Sequence, residues 1–234
     1  MKKVGIIFAM EEELRELLKY LKLEKEYEIF ELKFYEGVID DIEVLLVESG
    51  VGKVNAARAC QILIDNMKVD YIFNIGVAGG VSSSLNVLDI VIGEELVQHD
   101  FDITAFNHEK GYIPKVGTFI KSDEYLVRIA KECSLESDFK VLSGVIASGD
   151  IFCTEKSMSE KINSKFNALC CEMEGASIAQ VCILDHIPFL VLRSISDTPN
   201  GENQITYEEF LEKSSKNIAV FMMKILEKLS REEF

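Results

Sequence analysis

The stretch "IIFAMEEEL", residues 6–14, sets an apolar run directly against three consecutive glutamates. Its first part belongs to "VGIIFA" at 4–9, a short β-branched run bounded by charge, which reads as a strand buried on both faces. From Glu11 onward the apolar residues recur at helical spacing over 11–22, so a buried strand passes into an amphipathic helix with almost no linker. That join is the building unit of an α/β fold.

The same reading extends along the chain. Strands are expected at 43–49, 71–77, 88–93, 140–148, 168–173 and 188–195, and helical periodicity runs over 53–67, 123–134, 155–164, 174–185 and 206–229. The segments 28–38, 43–49, 71–77 and 88–93 follow one another with less helix between them, so part of the sheet is expected to be antiparallel or bent into a barrel. The result is a mixed sheet covered by helices on both faces. No Gly-, Pro- or Ser-rich linker interrupts the chain, and its 234 residues suit a single domain. The segment 101–118, "FDITAFNHEKGYIPKVGT", is long for a loop, which points to a functional or interface role.

Charge narrows the partners. A formal net charge of -15, from 40 acidic and 25 basic residues, repels phosphate backbones and anionic membranes, which disfavours nucleic acid and lipid surfaces as partners. Six cysteines without C-x-x-C spacing read as reduced thiols, and three histidines leave little material for a zinc site. Glu11 to Glu13 cut the first apolar run too short for a secretion signal, and no stretch approaches the roughly 20 apolar residues of a membrane span. A cytoplasmic location is expected.

Glycines cluster where strands stop: "SGVGKVNAA" at 49–57, "NIGVAGG" at 74–80 and "ASGD" at 147–150. The first lacks the third glycine of a dinucleotide fingerprint and the G-K-[ST] ending of a P-loop. Three such strand ends together favour a ligand pocket at the carboxyl edge of the sheet.

Carboxylates cluster at strand ends too. Of Glu11, Glu12 and Glu13, two are explained by the positive end of the helix dipole, and a third turned back to the strand end is free for chemistry. In "CCEMEGASIAQVC" at 170–182, extended alternation puts Glu172 and Glu174 on one face and Met173 on the other. "LRSISDTPNG" at 192–201 adds Arg193 and Asp197. Buried carboxylates at three strand ends suggest acid–base chemistry on a neutral, hydroxyl-rich substrate, and glycosidic cleavage fits.

The pieces "GIIFAMEEEL", "SGVGKVNAA", "NIGVAGG", "HDFDITAF", "ASGDIF", "CCEMEGASIAQVC" and "RSISDTPNG" together resemble the nucleoside phosphorylase/hydrolase superfamily. The resemblance is closest to its 5′-methylthioadenosine/S-adenosylhomocysteine nucleosidase branch. It implies a three-layer α/β/α sandwich, a homodimer, hydrolysis of the N-glycosidic bond of those two nucleosides, and no metal or organic cofactor. By the same resemblance Glu13 is the base that activates water, Asp197 the acid that donates to adenine N7, and Glu174 the carboxylate holding the ribose hydroxyls. Met173 packs beneath the sugar, Phe152 stacks on adenine, and the backbone of Cys153 reads its Watson–Crick edge. Arg193 helps hold the water, Ser196 hydrogen-bonds the acid, and Glu172 joins the substrate-binding set. Met10, Val51 and Tyr207 lie towards the 5′ substituent, while Ile103, Phe106 and Pro114 reach into the neighbouring subunit's pocket.

The chain departs from the family at Val77, where "GVAGG" replaces the common "GSAGG" and removes a hydroxyl near the ribose and water. Activity is expected to survive with an altered rate. Three rivals remain: phosphorolysis, which lacks an arginine at the "AMEEE" turn; a nucleosidase for another 5′-modified nucleoside such as 6-amino-6-deoxyfutalosine; and a non-catalytic nucleoside binder, which would not need Glu13, Glu174 and Asp197 together.

Overall fold

The structure, a computed structural model, describes residues 2–153, 155–198 and 207–232, with side chains of the last segment described from residue 210. In chain order the elements are β1 (Lys3–Phe8), α1 (Glu11–Leu18), β2 (Lys22–Ile29), β3 (Leu32–Ile39), β4 (Ile42–Glu48), α2 (Lys53–Asp65) and β5 (Tyr71–Gly80). Then come β6 (Ile90–Gln98), a 3-10 turn at Thr104–Phe106, β7 (Ile120–Lys121), α3 (Glu124–Ser134), β8 (Val141–Ser148), α4 (Lys156–Phe166), β9 (Ala168–Glu172), α5 (Gly175–Leu184), β10 (Phe189–Asp197) and α6 (Tyr207–Arg231).

β1 lies in the middle, parallel to β4 on one side and to β5 on the other. Five strands close on themselves: β5 pairs with β10, β10 with β6, β6 with β8, β8 with β9, and β9 returns to β5. The expected mixed sheet is therefore a five-stranded barrel with a β1-β4-β3-β2 wing.

Helices cover both sides, because the strands are apolar on both. Val4, Ile6 and Phe8 of β1 pack with Leu14 and Leu17 of α1, Leu126 and Ile129 of α3, and Phe221 and Met222 of α6. Ile7 points the other way, into a cluster with Ala56, Cys60 and Leu63 of α2 and Ala176 and Ala179 of α5. The three layers follow from this alternation. Among the described residues no helix is long and apolar enough to cross a membrane.

The wing departs from the expected reading. The 28–38 run is two strands, reversed at Phe30 and Glu31, both with positive φ (50° and 65°). Asp40 and Asp41 (45° and 65°) make the next reversal in the same way. Two positive φ angles are what a tight hairpin requires, but Phe-Glu is not a pair that signals one. β2, "KLEKEYEI", went unread because it is an edge strand, mostly exposed and charged, the composition that keeps a sheet edge from recruiting other strands. It takes the residues after Leu18 where the helix was expected to continue to 22.

Candidate active site

A cleft opens where β1, β5, β9 and β10 end. It encloses about 690 Å³, counting the space open to solvent, within the usual range for small-molecule sites. Met10, Glu13, Val51, Val77, Phe152, Cys153, Glu172, Met173, Glu174, Ser196 and Asp197 all line it. Six pieces of sequence, from Met10 to Asp197, thus meet at this cleft, three of them carried by the parallel strands β1, β5 and β10.

Glu13 is buried at 2% exposure, whereas Glu11 and Glu12 face solvent and Glu11 pairs with Arg15. Its Oε2 accepts from the backbone N–H of Ala9 (3.0 Å) and Met10 (3.1 Å), and its Oε1 accepts from the Val77 N–H (2.9 Å). One carboxylate therefore caps the start of α1 and borders the cleft. Burial raises its pKa above the ordinary carboxylate value, against the opposing pull of the Val77 N–H and Arg193. Gly76 makes room for it, since a Cβ there would stand 2.5 Å from Glu13 Oε1. Gly76→Ala is accordingly expected to push the carboxylate out of place and lower kcat/KM by about a hundredfold, with backbone φ undisturbed; steady-state kinetics check this, and a near-native value would mean the carboxylate has freedom to move.

Extended alternation stops at Glu172, so Glu172 and Glu174 both border the cleft as expected but Met173 does not turn away from it. β9 stops at Glu172, and Glu174 precedes α5 with φ -134° and ψ -45°, so Met173 also lines the cleft. Glu172 borders the cleft with both oxygens already engaged. Oε1 accepts from the Ser148 hydroxyl, and Oε2 accepts from the N–H of Glu174 (3.0 Å), the N–H of Gly175 (2.7 Å) and Arg193 Nη2. The Ser148 Oγ in turn accepts the Ala176 N–H at 2.7 Å. Glu172 thus fixes the start of α5 rather than facing a ligand with free lone pairs.

Glu174 is the freer of the two. Its Oε1 accepts the Gly52 N–H (2.8 Å) at the start of α2, a position with φ 101° that glycine alone adopts readily. The glycines of "SGVGK" that failed as a phosphate loop therefore serve a carboxylate of the chain itself. Burial first, and then the charge of Glu172, push the Glu174 pKa up to about 7. At the end of β10 the Ser196 hydroxyl donates to Asp197 Oδ1 at 2.7 Å. Phe152, 60% exposed, and Cys153 form a rim beside it. Their loop is anchored by Asp150, whose Oδ1 accepts the Lys53 N–H (2.8 Å) and whose own N–H donates to Asp100 (2.9 Å).

Arg193 corrects its expected placement. It is 1% exposed and does not line the cleft; its guanidinium donates to the Asn74 and Leu192 carbonyls, to Asn74 Oδ1 and to Glu172, with Glu174 Oε2 3.9 Å away. Only its buried Nε lacks a protein acceptor. Ile103, Phe106 and Pro114 do not line this chain's own cleft, and Phe106 is 75% exposed. Tyr207 begins α6, but its side chain lies outside the described residues. Asn74 and Ser148, which hold Arg193 and Glu172, were missed; a lone Asn inside the apolar run "YIFNIGV" was the available signal for the first.

A barrel-based α/β fold with several carboxyl groups lining one nucleoside-sized cleft defines an acid–base pocket for glycosidic chemistry. Comparison with known proteins makes the class specific. The model of the phosphorylase superfamily matches residues 3–227. A 5′-methylthioadenosine/S-adenosylhomocysteine nucleosidase of a Geobacillus species is 40% identical over 98% of this chain and 100% of its own, and that of Bacillus cereus is 39% identical over 97% and 99%. Among solved structures, the Helicobacter pylori nucleosidase in complex with a substituted pyrrolidin-3-ol superposes with a TM-score of 0.92 at 36% identity, covering 97% of this chain and 98% of that one. A structure described as the futalosine hydrolase of Helicobacter pylori matches with the same TM-score, 0.92, and the same 36% identity. The chain belongs to the phosphorylase superfamily and, within it, to the 5′-methylthioadenosine/S-adenosylhomocysteine nucleosidase family.

Proposed function

We propose that this chain, as a single domain over residues 1–234, hydrolyses the N-glycosidic bond of 5′-methylthioadenosine and S-adenosylhomocysteine, releasing adenine and the 5-thio-substituted ribose. The observation that carries hydrolysis over phosphorolysis is the state of the β1 turn. The N–H groups of Ala9, Met10 and Val77, which could otherwise cradle an anion, are all taken by Glu13. Phosphate would meet a carboxylate there; water meets a base.

In this reading Glu13 takes a proton from the attacking water, while Arg193, behind the cleft wall, acts through the Glu172 carboxylate it holds and through its charge near Glu13 and Glu174. Asp197 donates to N7, so that adenine leaves neutral. Glu174 accepts from the ribose hydroxyls and stabilises the oxocarbenium-like sugar as positive charge develops. Met173 supports the sugar, Phe152 stacks on the base, and Cys153 presents backbone to it. Met10 and Val51 provide the apolar wall for the alkylthio group, beside Val77 with its methyls in place of a hydroxyl. Initial rates of adenine release from methylthioadenosine and S-adenosylhomocysteine test the assignment, and no release from either would reject it. A second substrate, 6-amino-6-deoxyfutalosine, belongs in the same assay, because relatives of equal similarity carry both the nucleosidase and the futalosine hydrolase names.

Glu174 predicts a pH dependence. Its free pKa stands at about 7, and accepted hydroxyl bonds favour the ionised form, so the pKa falls when ribose binds. Binding below neutrality must then expel a proton. Affinity for a non-hydrolysable C-nucleoside analogue is expected to rise roughly tenfold or more from mildly acidic to mildly alkaline pH and then level off. Calorimetric titration across that range checks it; Glu174→Gln should bind more weakly with a flat profile.

The homodimer, the cytoplasmic location and a place in methionine salvage complete the proposal. The exposed Phe106 on a loop that avoids its own cleft supports a neighbour's pocket as the destination of Ile103, Phe106 and Pro114. Light scattering should give about twice the 26.4 kDa chain mass, and a monomeric mass at assay concentration would remove the dimer. Six free cysteines suit a reducing compartment.

A further inference from the structure

Two of the chain's thiols border the cleft, and they are Cys153 and Cys171. Cys60, Cys133, Cys170 and Cys182 are buried elsewhere in the core. Cys170 and Cys171 are neighbours on β9, and strand alternation separates them: Cys170 joins the layer under α2 and α5, while Cys171 turns to the cluster containing Ile162 and Phe166. Cys153 packs on that same cluster from the loop that carries Phe152.

The two thiols differ in what surrounds them. Cys153 is partly exposed, with its Sγ 3.3 Å from the Ser159 Oγ. Both sulfurs belong to one small apolar cluster at the cleft, and the neighbouring Cys171 thiol is the main cause that lowers the Cys153 pKa to about 6, with Ser159 adding to the effect. Cys171 is 7% exposed and held protonated, first by the adjacent Cys153 sulfur and then by burial. A reachable thiolate beside a shielded thiol is the arrangement of an attacking and a resolving cysteine.

We propose that Cys153 and Cys171 form a peroxide-sensitive thiol pair whose disulfide closes the base end of the cleft and reversibly stops the enzyme. The Cys153 thiolate attacks hydrogen peroxide: an S–O bond forms, the O–O bond breaks, and hydroxide leaves and takes a proton to become water. The sulfur is now a sulfenic acid, and the thiolate that was the main cause of holding Cys171 protonated is gone. Cys171 then attacks that sulfur: the S–S bond forms, the S–O bond breaks, and the oxygen departs as water with the thiol proton. Two thiols and one peroxide yield a disulfide and two waters, and a dithiol reductant reverses it. Drawing Cys153 onto Cys171 moves Phe152, the next residue, from the position where it would stack on a base. The switch rests on the proposed nucleosidase only for this loss of activity; the chemistry of the pair does not depend on it.

The test treats the native chain with a modest excess of hydrogen peroxide, with and without adenine, and follows peptide mass mapping and base release together. The expected result is a Cys153–Cys171 linked peptide, a fall in base release of about tenfold or more, slower reaction with adenine present, and recovery on reduction. In Cys153→Ser the ratio of rates after and before peroxide should stay near one, whatever the starting rate. A Cys153 that stays free or is oxidised without linking to Cys171, or an equal loss in Cys153→Ser, overturns the pair. Mapping needs no substrate, so a linked peptide in a chain that releases no base would sustain the pair and sink the nucleosidase reading. A hydrolytically active chain without the link would do the reverse.

Discussion

Asp197→Asn is expected to lower kcat for methylthioadenosine by about a thousandfold while changing KM only a few-fold. The substitution keeps shape and keeps an oxygen for the Ser196 hydroxyl, which donates to Oδ1 at 2.7 Å, so the wall of the cleft stays in place. What it removes is a proton that can be transferred. An asparagine can still donate a hydrogen bond to N7, but the leaving adenine then departs as an anion. Binding therefore survives and bond cleavage does not. Single-turnover adenine release and calorimetric binding separate the two. A kcat within tenfold of the parent chain would mean that protonation at N7 comes from elsewhere, and a KM raised in proportion would mean that Asp197 only binds.

Glu13→Gln is expected to be as severe for kcat, about a thousandfold or more, because water loses its base. Its effect on stability runs the other way. The three N–H bonds to Glu13 do not offset its burial, and its pKa stands raised. A folded-state pKa above the unfolded value means stability is full below the ordinary carboxylate range, near 4.5, and is lost as pH rises through the raised value. At neutral pH the ionised Glu13 is thus a cost that a neutral glutamine relieves, at the smaller expense of turning an amide N–H toward one of the donors. The variant is expected to melt no lower than the parent at mildly alkaline pH, and the difference should shrink as the solution is acidified. Loss of both activity and stability would instead make Glu13 a helix cap with no special chemistry.

Much of this site was legible in the sequence because its residues sit at strand ends, where local pattern and tertiary position coincide. "IIFAMEEEL" forecasts both β1–α1 and a glutamate turned back to the strand, and Glu13 is that residue. The chain could not say which of Glu172 and Glu174 stays free. That depends on Ser148 and Arg193, 24 and 21 residues away, converging on Glu172. Arg193 looked like a cleft residue because Asp197 is one, yet within a strand buried on both faces its side chain is consumed by Asn74 and Glu172. A partly barrel-like sheet was anticipated, but not which strands close it, since closure lies in the β9–β5 pairing of Gly79 with Cys171, a contact with no local signature. The hairpin at Phe30 and Glu31 was hidden for the opposite reason: its positive φ angles fall on residues that rarely adopt them.

The central claim is that water, activated at Glu13, is the nucleophile. The most direct measurement is chromatographic analysis of products from methylthioadenosine with and without phosphate. Adenine and free methylthioribose at the same rate in both reactions are the predicted result. A sugar 1-phosphate formed only when phosphate is present would contradict it, because the Ala9, Met10 and Val77 N–H groups would then have to leave Glu13 and bind the anion.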